Sequence, residues 1–177
     1  QPKVFLQSGA CRSAEALLRW THPELGAISP AEFVALAETT ALVTPMTRWV
    51  IDSAVRQAAI WHREGLDLTV AINVSPKNLE EPDFIAYLTD RCTAARLDRA
   101  RLELEITEGV SAAQGGLILD RLATLRRLGF SIAIDDFGSG YSNMSYLTRI
   151  SNNTLRLDQG PEHGVEKGTR NGRLVSN

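Results

Sequence analysis

Short apolar runs of β-forming residues recur along this chain, and four of them finish in an oxygen-bearing side chain. Val70-Ala71-Ile72 ends in Asn73, Leu102-Glu103-Leu104 continues to Glu105, Ile132-Ala133-Ile134 ends in Asp135 and Asp136, and Leu155-Arg156-Leu157 ends in Asp158. Asn73 and Glu105 are 32 residues apart, and Glu105 and Asp135 are 30 apart. Both intervals match the ~30 residues of one strand-helix-strand unit. Such a repeat argues for a parallel α/β fold, in which side chains at the C-terminal ends of the strands converge on one site.

Six runs qualify as strands: 4–6, 14–20, 69–74, 102–107, 131–135 and 154–158. Capping chemistry punctuates the segments between them. Ser29-Pro30-Ala31-Glu32 reads as a capping box with proline at the first helical position, and Thr44-Pro45 reads as a second start of the same kind. The second helix carries Trp49, Val50, Ala54, Ala58 and Trp61 at helical spacing, which predicts core packing for both tryptophans, and it stops near Gly65. A further helix runs from about Pro82 through Phe84, Ile85, Leu88 and Cys92. Another carries Leu117, Ile118, Leu122, Leu125 and Leu128 before Gly129.

Composition narrows the class of function. Of 177 residues 44% are hydrophobic and 23% charged, which is enough apolar material for a core. A net charge of −2 is too balanced for a protein that grips DNA by charge, and a polyphosphate groove is not favoured. No apolar run approaches the ~18 residues of a membrane span, and the start lacks a signal-peptide pattern, so a soluble, cytoplasmic segment without membrane contact is expected. Cys11 and Cys92 match no zinc or redox spacing and read as small buried hydrophobes. His22, His62 and His163 show no ligand spacing and read as surface or satisfied positions. The first residue is not methionine, which suggests a segment of a longer protein or a missing beginning.

Carboxylates and an amide at successive strand ends, without Cys or His, form a hard oxygen donor set suited to Mg²⁺ or Mn²⁺. Glu15, on the second run, could join them. An adjacent pair such as Asp135-Asp136 can serve two cations, the usual device for in-line displacement at phosphorus, which points to phosphodiester hydrolysis. Each residue taken singly has a plainer reading. Asp158 suits a helix N-cap, Asn73 before Ser75-Pro76 suits a turn, and Glu103 and Glu108 suit exposed charges. The loop Asp136-Phe137-Gly138-Ser139-Gly140-Tyr141-Ser142 suits either a tight turn or a backbone that approaches a phosphate or moves as a lid. Four strand ends together are harder to dismiss, because clustered carboxylates repel unless a cation neutralises them.

These residues carry a resemblance to the EAL domain family of bacterial cyclic di-GMP phosphodiesterases. The matching segments are Gln1-Pro2, Glu15-Ala16-Leu17-Leu18-Arg19-Trp20, His22-Pro23-Glu24-Leu25-Gly26, Asn73-Val74-Ser75, Leu102 through Glu108, Asp135 through Ser142, and Thr154-Leu155-Arg156-Leu157-Asp158. The resemblance implies a modified (β/α)8 TIM-type barrel with an antiparallel first strand, here incomplete with about six of eight strands. It also implies metal-dependent opening of cyclic di-GMP to linear pGpG. Glu15, Asn73, Glu105 and Asp135 would be metal ligands, with Asp136 serving the second of two Mg²⁺ or Mn²⁺ ions. Arg19 would meet a phosphate, and Gln1 and Leu17 would lie along the nucleotide. Glu108 would brace the loop of Gly138, Ser139 and Gly140, which couples metal binding to activity and to homodimer formation.

Arg156 departs from the family, whose lysine at that place sits beside the attacking water. Pro161 stands where an aromatic residue is usual, and the family's later Glu and Gln-Gly motifs are not found. Residues 1–158 are therefore expected to form an EAL-type barrel lacking its last strands. Residues 159–177 are expected to form a polar, glycine-rich loop and the start of a truncated helix. On this basis the chain alone is expected to be a poor catalyst. An inactive cyclic di-GMP-binding or protein-interaction module is the alternative, and an enolase-type lyase, which also uses strand-end carboxylates, is a third reading. An upstream sensor or diguanylate-cyclase-like domain is expected in the parent protein, which could be membrane-anchored through an upstream segment.

Overall fold

The computed structural model describes residues 1–4, 11–107, 115–137 and 154–157. In chain order its strands are β1 (Pro2–Val4), β2 (Cys11–Ala16), β3 (Trp20–His22), β4 (Gly26–Ile28), β5 (Thr69–Asn73), β6 (Leu102–Thr107), β7 (Ser131–Phe137) and β8 (Thr154–Leu157). The helices are α1 (Pro30–Glu38), α2 (Val43–Arg63), α3 (Pro76–Glu80), α4 (Phe84–Ala95) and α5 (Gly115–Arg127), with one 3-10 turn at Arg99–Arg101.

Six strands form one sheet in the order β1-β2-β5-β6-β7-β8. β1 runs antiparallel to β2, whereas β2, β5, β6, β7 and β8 are mutually parallel. The expected antiparallel first strand and partial barrel are thus present among the described residues. The apolar runs are buried as a parallel sheet requires: Val70, Ala71 and Ile72 of β5 and Leu102, Leu104 and Ile106 of β6 all lie in the core. Ile51, Ala54, Val55 and Ala58 of α2 join Phe84, Leu88 and Cys92 of α4 over the sheet. Burial pushes the Cys92 thiol up to about 11, so it behaves as a core hydrophobe.

A polar cluster ties the helices together beside this core. Thr47 Oγ1 donates to Asn78 Oδ1 at 2.9 Å, and Asn78 Nδ2 donates to Glu81 Oε1 at 2.8 Å. Arg48 bonds both Glu81 and Asp83, and these carboxylates raise its already high pKa. Asn78 and Thr47 are buried, and their mutual bond removes the penalty of leaving polar atoms dry.

Several sequence expectations need correction. The run 14–20 is not one strand: β2 ends at Ala16, and Trp20 opens the separate β3-β4 hairpin. Ser29 precedes α1 with Pro30 at the first helical position, but its side chain makes no cap bond. Its carbonyl instead accepts from the Glu32 and Phe33 N–H groups. α2 starts at Val43, two residues early, with Leu42 in the cap place; Thr44 lies inside the first turn, and its Oγ1 donates to Glu81 Oε1. Trp49 is 63% exposed, while Trp61 packs against the core. Cys11 is exposed at the start of β2 rather than buried. His22 is satisfied as expected, its Nδ1 accepting from the Glu24 and Leu25 N–H groups. The segment after Asn73 forms the short helix α3 rather than only a turn.

Gly65 and Gly129 take positive φ after α2 and α5, where a left-handed residue ends a helix. Arg96 does the same work after α4 at φ 53°, a conformation disfavoured for any residue with a Cβ. Arg96→Gly is expected to raise stability by about 0.5 kcal/mol, the relieved strain exceeding the added freedom of the unfolded chain. Urea unfolding of the two proteins measures it, and a destabilised variant would show that the arginine is not strained.

Candidate active site

The parallel pairing fixes how the strand ends line up. Asn73 at the end of β5 stands directly opposite Glu105 of β6, and the Val74 N–H beyond it donates to the Glu105 carbonyl at 2.9 Å. Glu15 of β2 pairs with Ala71, two residues earlier on β5. Two residues is one side-chain repeat of a strand, so Glu15 and Asn73 share a face. Asn73 Nδ2 donates to Glu15 Oε1 at 3.1 Å. Gln1 lies alongside, its main chain exchanging two 2.7 Å bonds with that of Glu15.

Glu105 is the buried member of this group, and its side chain is fully inaccessible. Lys3 of β1 supplies its counter-charge: Nζ lies 2.5 Å from Glu105 Oε1 and 3.8 Å from Glu103 Oε1. Glu103 is therefore a half-buried, ion-paired residue rather than the exposed charge that its alternative reading predicts. Lys3 was not singled out by sequence reasoning. The signal was available in Glu103 and Glu105, two positions apart on one strand and so on one face, where two enclosed carboxylates require a cation.

β7 contributes Asp135 and Asp136. Asp135 stands opposite Thr107 of β6 in backbone register. Between β7 and β8 the register shifts, with Ile134 paired to Leu155 and Phe137 to Leu157. Three steps on β7 thus match two on β8, so in backbone register Asp135 and Asp136 form a bulge opposite the single position 156. A bulge suspends the strict alternation of a strand, and bulges concentrate beside active sites. Asp158, Glu108, Gly138, Ser139, Gly140, His163, Pro161 and residues 159–177 lie outside the described residues.

A cavity of about 510 Å³ opens beside the strand ends. Leu17, Leu18 and Arg19 line one side, Asn73, Val74 and Glu105 its floor, and α1 and α2 the remainder. Its size falls within the range of small-molecule sites. Arg19 is exposed at its rim, with Nη1 donating to the Leu18 carbonyl at 2.9 Å.

The donor chemistry fits a hard divalent cation. Glu15 and Glu105 bring carboxylates and Asn73 an amide oxygen, and among the described residues lining the cavity there is no Cys or His. Among the described residues no group of three or more His, Cys, Asp or Glu side chains is gathered closely enough to hold a metal by itself. The described part of the set is two carboxylates and an amide, and Asp135 and Asp136 stand next in the strand order. Among the described residues no helix is long and apolar enough to cross a membrane.

Comparison with known proteins agrees with this arrangement. The chain is 44% identical over 159 residues to the cyclic di-GMP phosphodiesterase PA2567 of Pseudomonas aeruginosa, covering 90% of this chain and 27% of that protein. It is 37% identical over 161 residues to the bifunctional diguanylate cyclase/cyclic di-GMP phosphodiesterase MucR of the same organism, covering 90% and 24%. The chain thus spans about a quarter of the length of these curated relatives. Among solved structures, the PaMucR phosphodiesterase in complex with c-di-GMP superposes with a TM-score of 0.84 at 36% identity, covering 89% of this chain and 64% of that one. The EAL domain profile matches residues 1–177, and with the antiparallel first strand and ordered strand ends it shows that the chain belongs to the EAL domain family.

Proposed function

We propose that this domain hydrolyses cyclic di-GMP to linear pGpG in a reaction that depends on two divalent cations, Mg²⁺ or Mn²⁺. The observation that carries the reading is the meeting of Glu15, Asn73 and Glu105 at adjacent strand ends, on the floor of a cavity rimmed by Leu17 and Arg19. In the reaction a water oxygen bonds to phosphorus, one phosphorus–O3′ bond breaks, and a water proton ends on the departing O3′. The product keeps the second phosphodiester and gains a terminal 5′-phosphate.

Bound cations supply the acidification of water and the neutralisation of charge growing on the phosphoryl oxygens. Glu15, Asn73, Glu105 and Asp135 would hold them, with Asp136 completing the second position. Arg19 presents a guanidinium suited to a phosphate oxygen, and Leu17 offers an apolar face to the nucleotide. Gln1 lies beside Glu15 at the edge of the same groove. Glu108 and the segment Gly138, Ser139, Gly140 would brace the metal centre and link it to a second copy of the domain. The parent protein would be cytoplasmic at this segment and joined to an upstream sensor or cyclase domain, an arrangement supported by the bifunctional MucR.

Arg156 favours a second reading, a cyclic di-GMP receptor without turnover. It stands across the ladder from the Asp135-Asp136 bulge, where the family resemblance implies a lysine beside the water. The purified chain incubated with cyclic di-GMP and Mn²⁺ or Mg²⁺, resolved by anion-exchange chromatography, decides between them. Metal-dependent pGpG that disappears with chelator supports the phosphodiesterase. Unchanged dinucleotide with retained binding supports the receptor.

A further inference from the structure

We propose that Lys3 is a positioning residue of the cation centre, holding Glu105 in place and leaving that carboxylate's charge available to the metal. The inference rests on the metal-dependent reading above. β1 and β6 are separated in the sheet by β2 and β5. Strands lie ~4.8 Å apart, so on a flat sheet three steps put β6 far beyond the reach of a lysine side chain. The contact exists because the sheet curls, and Lys3 crosses the hollow of that curl from the antiparallel first strand.

Its ammonium touches Glu105 Oε1 at 2.5 Å, closer than the ~2.7–2.9 Å of an ordinary charge-assisted N–H···O bond, and the carboxylate it holds is fully buried. A lysine beside a metal ligand would ordinarily repel a divalent cation. Glu103 offsets that repulsion, since its Oε1 lies 3.8 Å from the same ammonium. Lys3 and Glu103 together carry no net charge, so Glu105 keeps its negative charge and gains a fixed orientation. Outer-shell partners of this kind are worth ~10–100-fold in metal affinity.

The test is calorimetric titration of Mn²⁺ into the purified chain without substrate, with far-UV circular dichroism to establish folding. Lys3→Met is expected to weaken Mn²⁺ binding ~10–100-fold while remaining folded. An unchanged dissociation constant in folded Lys3→Met overturns the proposal. If that variant does not fold, Glu103→Gln decides: it keeps the Lys3–Glu105 bond but removes one of the two carboxylate charges beside the ammonium, and weakened binding is expected. Equal affinity in Glu103→Gln overturns the proposal just as directly. Should the unaltered chain itself take up no Mn²⁺, the metal-dependent reading fails first, and this inference falls with it.

Discussion

Glu15→Ala is expected to lower the kcat/KM for cyclic di-GMP by ~10³-fold or more, because a lost ligand removes several kcal/mol of charge stabilisation in the transition state. The substitution leaves the framework standing. β2 is held to β5 through main-chain pairing at Glu15 and Ala71, and to β1 through the Gln1 main chain, and none of these bonds uses the carboxylate. Glu15 is only half-buried, so truncation opens no core cavity. What is lost is one oxygen donor and the acceptor that orients Asn73 at 3.1 Å. Dinucleotide binding in the presence of chelator should survive, since Leu17 and Arg19 stay in place along the cavity. The measurement is initial pGpG production at saturating Mn²⁺ beside equilibrium binding without metal. Full turnover in the variant would remove Glu15 from the ligand set.

The sequence disclosed the parallel strands and their chemistry far better than the short elements around them. β5 and β7 were legible as short apolar runs, β6 as alternating Leu and Ile with glutamates between, and the helix between each pair fixes their spacing. The β3-β4 hairpin was not, since each strand has three residues and only Arg19 separates Trp20 from the apolar Ala16-Leu17-Leu18. In the fold the Trp20 ring instead meets Phe33 of α1 edge-on at 5.9 Å. Trp49 misled for a geometric reason. It adjoins Val50, and neighbouring helical positions point about 100° apart, so the buried Val50 leaves Trp49 outside. Thr44 misled because its cap role was pre-empted by Glu81, 37 residues away, a contact no local pattern encodes. Within the site, the donors could be read from where each run ends. The Lys3 bridge was legible only by half: Glu103 and Glu105 on one face call for a cation, but which residue supplies it depends on how far the sheet curls, a property of all its strands together.

Arg156→Lys is expected to raise turnover about tenfold or more. The residue lies on β8 between Leu155 and Leu157, the positions that flank the Asp135-Asp136 bulge on the opposing strand. The family resemblance implies a lysine there beside the attacking water. A lysine ammonium is compact and can turn any of its three protons toward a small acceptor. A guanidinium is planar, bulkier and fixed in its fork, so the exchange of lysine for arginine is not conservative beside a small nucleophile. Displacement of a reacting group by ~1 Å can cost 10²-fold in rate, which sets the scale of the expected gain. The effect should fall on kcat, with dinucleotide affinity little altered, because the change concerns the nucleophile rather than the groove of Leu17 and Arg19. Kinetics of both proteins across the same Mn²⁺ series make the comparison. A gain in kcat at constant KM assigns the impairment to the arginine. Equal and substantial rates in the two proteins would show that this barrel accommodates the guanidinium. Retained binding with no turnover in either would favour the receptor and place the obstacle to hydrolysis elsewhere than at position 156.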